Sequence, residues 1–359
     1  MMRVGLVIYD SLDSVSGGYL YDRQLAGYLR GSGDDVEIVS LPRPAYKRCL
    51  THNFRPSLAE RLFHHGYDLL LQDELCHPSL YLLNERCARR TPIVSIVHHL
   101  RASERHPAHL MRRYQHIERR YLRAVDGFIF NSKTTRSAVR KLAGRMVPHA
   151  VIYPAADHVP RVSEAARLEV RATRDEPLKI LFVGNVIPRK GLHLLTAALA
   201  HLPPNTWQLM IAGDTTGDVP YVTWLRAQMR QAIPQGSVSW FGRVADDELW
   251  QLMMASDLLV VPSSYEGFGI VYLEGMAFGL PAVATTAGGA HEFVTDGENG
   301  FLIEPGSVSE LAARITLLQN DRRRLLAMSL AARSRFLAAP GWAQNMRRAR
   351  DFLEEIVGR

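Results

Sequence analysis

Along this chain, short runs of β-branched and other apolar residues alternate with stretches in which apolar positions return every three or four residues, the periods of strand and of amphipathic helix. The first series of strand-like runs falls at residues 4–9, 36–41, 68–71, 93–98, 127–131 and 150–153. A polar stretch rich in Arg, Glu and Ala follows at 157–177, and the alternation then restarts at 180–183, 208–212, 238–241, 258–261, 282–285 and 301–303. Strands separated by helical segments build parallel sheets, because a parallel crossover needs a dozen or more residues. Two such series predict an α/β protein of two Rossmann-like, doubly wound domains. The first spans 1–160, a linker 161–177, the second domain 178–340, and a last helix, opened by Trp342, covers 341–359. Sheets of this kind bind ligands beyond the carboxyl ends of their strands, so two of them mouth to mouth would share one site in a cleft.

Composition narrows the class. A chain of 359 residues is too long for one hydrophobic core, and 47% apolar with 22% charged residues belongs to a folded globular protein. Apolar runs stay far below the ~20 residues that span a bilayer. The start, MMRVGLVIYD, passes straight into a strand pattern without the sections of a signal peptide, which predicts a cytoplasmic protein. Cys49, Cys76 and Cys87 are odd in number and lack metal-site or redox spacing, in keeping with a reducing compartment. Charge is unevenly placed: residues 1–160 hold 23 Lys and Arg against 15 Asp and Glu, the remainder 20 against 21. The excess predicts an acidic substrate, surface or membrane near the first half.

Two loops attract attention. Asp13-Ser14-Val15-Ser16-Gly17-Gly18-Tyr19 lies between the first strand and a helix, where Gly17 and Gly18 would let backbone N–H groups approach an anion. It is neither a full dinucleotide GxGxxG nor a phosphate-loop GxxxxGK, and a Gly-Gly turn also has a purely structural reading. The more specific segment runs from Pro262 to Glu274 with the sequence PSSYEGFGIVYLE, after the strand at 258–261. Glu266 in the loop could accept hydrogen bonds from sugar hydroxyls. Glu274, about two turns into the following helix, could grip a ribose diol, and Gly267, Phe268, Gly269 and Ile270 between them would present backbone N–H groups to a diphosphate or sugar.

This Glu-x7-Glu within Pro-Ser-x-x-Glu-Gly-Phe-Gly resembles the hallmark of the family 4 retaining glycosyltransferases of GT-B fold, and further matches follow in order along nearly the whole chain. Phe182-Val183-Gly184-Asn185-Val186-Ile187-Pro188-Arg189-Lys190-Gly191 is similar to the family's loop after the first strand of its second domain. The resemblance implies that Lys190 neutralises charge on the leaving nucleotide diphosphate. Asn185 stands where the family usually has an arginine, which Arg189 would replace. His98, at the end of the fourth strand, matches the family's histidine beside the donor sugar, and His99 a position that is usually acidic. Asn131-Ser132-Lys133 and Tyr153-Pro154-Ala155-Ala156-Asp157 resemble architectural turns. Gly288-Gly289-Ala290-His291-Glu292 resembles the family's Gly-Gly-x-x-Glu, with Glu292 in a supporting role, and the helix from Trp342 resembles one that returns to the first domain in this fold.

The resemblance implies transfer of a hexose from a nucleotide-diphosphate sugar with retention at the anomeric carbon. His98, Lys190 and Glu266 would be at the chemistry, and Gly17, Gly18, Asn185, Arg189, Lys190, Gly267, Phe268, Gly269, Ile270 and Glu274 on the donor. UDP sugars are favoured slightly over GDP-mannose, and the acceptor is a glycan, lipid-linked or small molecule. No Asp-x-Asp occurs, so neither a metal nor another cofactor is expected. Arg101, Arg105, Arg112, Arg113, Arg119, Arg120 and Arg123 are interleaved with Leu110, Met111, Tyr114, Ile117, Tyr121 and Leu122 at helical spacing. Such a segment can lie at the periphery of an anionic membrane, or be the solvated face of a core helix. Two other classes fit the sequence less well: a sugar-nucleotide epimerase of the same fold, which would need further acids and bases, and a nucleic-acid-binding protein, invited by a pI near 9.4 but unsupported by any motif. No nucleic-acid partner is expected.

Overall fold

Both sheets are wholly parallel, and their central strands are covered on both faces and read as near-continuous apolar runs, while the edge strands are more exposed. The computed structural model describes residues 1–87, 91–160, 165–174 and 176–358. Unit 1 takes Met1–Pro154 with Pro340–Arg359, and unit 2 takes Ala155–Ala339.

In unit 1 the strands are β1 (Arg3–Tyr9), β2 (Asp35–Leu41), β3 (Leu69–Asp73), β4 (Ile93–Val97), β5 (Gly127–Phe130) and β6 (His149–Val151), in the order β2-β1-β3-β4-β5-β6. Every residue of β3, β4 and β5 is buried. The helices begin where a short polar side chain can take an orphan N–H. Ser16 accepts from Tyr19 N at the start of Gly17–Gly31, and Ser132 from Thr135 N at 3.0 Å at the start of Lys133–Ala143, which ends on Gly144 with φ +71°. The terminal helix Trp342–Val357 is part of this unit. The Trp342 ring lies 5.7 Å from that of Tyr21, Asn345 Nδ2 donates to Tyr153 O at 2.9 Å, and Arg350 pairs with the buried Asp34 at 2.8 Å.

Unit 2 repeats the design with β7 (Leu178–Val183), β8 (Trp207–Ala212), β9 (Val238–Gly242), β10 (Leu258–Val260), β11 (Ala282–Thr285) and β12 (Gly300–Ile303), in the order β12-β11-β10-β7-β8-β9. The order reverses direction between β7 and β10, which makes their carboxyl ends the topological switch point of the sheet.

Two expectations change in detail. The boundary between the units falls at Pro154/Ala155, and the stretch read as a linker carries the helix Ala165–Thr173. Its Leu168 is buried, and Arg171 donates to Phe278 O at 3.1 Å and Gly279 O at 2.6 Å, so these residues are packed into unit 2; residues 161–164 and 175 lie outside those described. The basic segment forms the helix Ala108–Arg123, whose Tyr114, Ile117, Tyr121 and Leu122 are buried among the core of unit 1. Most of the apolar side that would enter a bilayer is therefore occupied; Leu110 and Met111 stay half-buried at the start of the helix, and Arg105, Arg112, Arg113, Arg119 and Arg123 are exposed. No described helix is long and apolar enough to cross a membrane.

Candidate active site

The loops after β7 and β10 flank the switch point of unit 2, and they bring Arg189, Lys190 and Glu266 into contact. Lys190 Nζ donates to Glu266 Oε1 at 2.5 Å, Ser263 Oγ donates to the same oxygen at 2.7 Å, and Arg189 Nη1 stands 3.4 Å from it while donating to Tyr265 O at 2.8 Å. Burial alone would raise the Glu266 carboxyl, but the two cations and the hydrogen bonds from Lys190 and Ser263 outweigh it and hold the group down at about 2. Glu266 is thus an anion in the folded protein, fixed by three donors.

The backbone here tolerates few substitutions. Gly191, at φ +72°, packs so closely on Pro262 that a Cβ would fall 2.1 Å from its carbonyl oxygen, and Ser264 N donates to Arg189 O at 2.8 Å. The Gly288-Gly289 pair serves the same loop. Gly289 N donates to Glu266 O at 2.9 Å, and a Cβ on Gly288 (φ +108°) would lie 1.8 Å from that oxygen. Gly288 and Gly289 are therefore the backbone brace of Glu266, a role that their spacing in sequence did not reveal.

Gly269, with φ +89°, turns the chain into the helix Ile270–Ala277. That helix starts only at Ile270, so Glu274 lies just over one turn in, not two, and its Oε1 is 3.1 Å from His158 Nε2. Phe268 packs its ring 4.7 Å from Phe293, so any ligand contact falls to its backbone. Gly267 is buried and Ile270 half-buried, and Asn185 is exposed beside Gly184.

Unit 1 gathers the remaining expected residues. Ser16 and Gly17 open the helix after β1, and a Cβ on Gly18 would lie 3.0 Å from the His98 ring, so this glycine is the floor for that histidine. His98 Nε2 is 3.2 Å from Asp22 Oδ1, and Asn131 Nδ2 donates to His98 O at 2.8 Å, which gives the Asn-Ser-Lys turn its use. Burial would lower the His98 imidazole, but Asp22, with Asp73 and Glu74 beyond it, raises it overall. Asp73 itself is pushed up to about 7 by burial and by the Asp22 charge. His99 pairs with Glu104 at 3.1 Å. One ligand atom each of Asp22, Asp73 and His98 lie within 4.8 Å of one another, as do those of Glu74, His77 and Glu118; among the described residues these are the groups with the chemistry to hold a cation.

Sequence reasoning missed Ser263, Asp22 and His158. The first stood in plain view inside the motif, three residues before Glu266. Asp22 and His158 are single polar residues far in sequence from the groups they touch, and no local pattern marks them.

Two wholly parallel six-stranded units, the second with a Lys–carboxylate pair and a Gly-rich helix start at its switch point, have the architecture of the GT-B fold. Sequence comparison agrees: the profile described as "Glycosyl transferases group 1" matches residues 165–335, and that of "Glycosyltransferase Family 4" matches residues 19–159. The chain belongs to this family of glycosyltransferases. A glycogen synthase of Mycobacterium tuberculosis is 30% identical over 77% of this chain and 65% of its own, so the chain spans less than two thirds of that relative's length. A GDP-mannose-dependent alpha-(1-6)-phosphatidylinositol monomannoside mannosyltransferase of the same organism is 29% identical over 64% of this chain and 62% of its own. Among solved structures, sucrose-phosphate synthase of Thermosynechococcus elongatus superimposes with a TM-score of 0.85 over 100% of both chains at 20% identity. HepE of Anabaena, in complex with UDP-glucose, gives 0.79 over 99% and 100% at 23% identity.

Proposed function

We propose that this chain transfers a hexose from a nucleotide-diphosphate sugar, a UDP sugar in preference to GDP-mannose, to a glycan, lipid-linked or small-molecule acceptor, with retention at the anomeric carbon. The observation that carries the reading is the Lys190–Glu266 pair at the switch point of unit 2, where a Rossmann-like sheet receives its ligand. An ammonium has three donors, and the one engaged by Glu266 leaves two for phosphate oxygens. Lys190 would neutralise charge that builds on the departing diphosphate, and the first N–H groups of the helix from Ile270 would add to it. Glu266, an anion held in one orientation, would accept from sugar hydroxyls, and Glu274 from the ribose. His98 would stand beside the donor sugar. The UDP-glucose complex of a neighbour with the same fold supports the choice of donor.

The proposed reaction takes its driving contacts from these side chains and needs no metal; turnover undiminished by excess EDTA is required of it. Contact with an anionic membrane through the 101–123 segment would rest mainly on its exposed arginines, so flotation with anionic vesicles should weaken steeply at high salt. The deciding experiment is a thermal-shift series with UDP, GDP, ADP and their sugar conjugates, followed by NMR of the released anomer. Stabilisation by one nucleotide and an α product from an α donor support the reading. No stabilisation of folded protein by any of them refutes it.

A further inference from the structure

Unit 1 carries a surface cavity of about 510 Å³ at the carboxyl end of β2, lined by Pro42, Arg43, Pro44, Arg48, Thr51, His52 and Arg55. That volume falls within the range of small-molecule sites. Three exposed arginines line it, no carboxylate does, and none of the three makes an ion pair with an acid among the described residues, although Arg43 lies near enough to the buried Asp73 to lower its carboxyl. Like charges crowded on one concave wall repel each other, and an anion between them removes the repulsion. Guanidinium forks suit a planar or tetrahedral oxyanion.

The segment that carries the three exposed arginines is anchored from below. Asn53 Nδ2 donates to Leu50 O at 3.0 Å and to Pro78 O at 2.8 Å, while its Oδ1 accepts from Leu82 N at 2.9 Å. His52 Nδ1 is 2.9 Å from Ser79 Oγ, which is 2.7 Å from the Tyr9 hydroxyl. Arg43 lies over the Tyr9 ring, 5.9 Å from its centroid, at the end of β1. The cavity therefore adjoins the carboxyl ends of β1 and β2, the side on which a parallel sheet receives its ligand. It also accounts for part of the basic excess of the first 160 residues.

We propose that Arg43, Arg48 and Arg55 form a subsite that binds a phosphate group on the acceptor, so that the acceptor is a phosphate-bearing molecule. The assignment of an acceptor rests on the transferase reading; the anion site does not. His52, its ring fixed by Ser79, and the Thr51 hydroxyl would line the group or the sugar beside it.

The test is calorimetric titration of the full chain with glucose 6-phosphate, with glucose, and with vesicles containing phosphatidylglycerol. Arg43→Gln, Arg48→Gln, Arg55→Gln and their triple combination are compared with the charge control Arg140→Gln/Lys141→Gln, and a UDP thermal shift is read on every protein. Expected is binding of the phosphate ester but not of glucose, weakened roughly tenfold or more by each subsite change and unaltered in the control. Binding to the vesicles alone, with the same dependence on the three arginines, assigns the phosphate to a lipid headgroup. Absence of both, or equal binding by the triple variant, overturns the proposal. A UDP shift that persists in that case leaves the donor reading standing, whereas its loss in the wild type defeats the donor reading independently.

Discussion

Replacing Lys190 by Met and Glu266 by Gln, singly and together, tests the electrostatic core of the candidate site. The carboxyl is held at about 2 against an ordinary 4.5, and at about 1.4 kcal/mol per pH unit this difference is worth roughly 3 kcal/mol at neutral pH. Glu266 and Lys190 keep 13% and 15% of their side-chain surface exposed, and water reaching them trims the figure to about 2–3 kcal/mol. Lys190→Met leaves Glu266 with Ser263 and the more distant Arg189, so it should cost a similar amount; the double variant should cost less than the sum of the singles, by about 2 kcal/mol. The pH dependence has a definite sign. Between about 2 and 4.5 the unfolded chain binds the proton that the folded one does not, so the stabilisation is full above 4.5 and is lost as pH falls towards 2. Urea unfolding of all four proteins from pH 3 to pH 7 reads both quantities. A coupling below about 0.5 kcal/mol, or a gap between wild type and Glu266→Gln that is the same at pH 3 and pH 7, would refute the account.

Other perturbations probe the supports of the site. Gly288→Ala should destabilise unit 2 by about 2–4 kcal/mol, because its Cβ meets the Glu266 carbonyl at φ +108°; a cost under 0.5 kcal/mol by urea unfolding contradicts the brace. The His98 imidazole should titrate above 6.5, so its share of stability is full below that value and is lost as pH rises through the folded midpoint. Asp22→Asn should lower that midpoint, read by NMR of the ring, and an unchanged midpoint removes Asp22 as its cause. Leu168→Ala should cost about 2–3 kcal/mol if the helix Ala165–Thr173 is packed as described, whereas a bare tether would show almost none.

Period and punctuation were enough to place all twelve strands to within a residue or two, because a strand buried on both faces of a parallel sheet has to be apolar along its whole length, as Ile93–Val97 and Leu258–Val260 are. The motif from Pro262 to Glu274 was equally legible, since a carboxylate, a positive-φ glycine and a helix start are neighbours in the chain. The helical nature of 165–173 was hidden, because its partners Phe278, Gly279 and Asp257 lie about a hundred residues away. The basic helix at 108–123 had two readings by periodicity, and only packing showed that Tyr114, Ile117, Tyr121 and Leu122 face the core. Sequence named Lys190 and Glu266 one by one. That they are a bonded pair, that Gly288 and Gly289 brace Glu266 and that Asp22 lies under His98 follow from the strand order, which sets side by side loops that no local rule connects. Arg43, Arg48 and Arg55 share one segment, and only the folding of residues 42–55 closes it round a cavity.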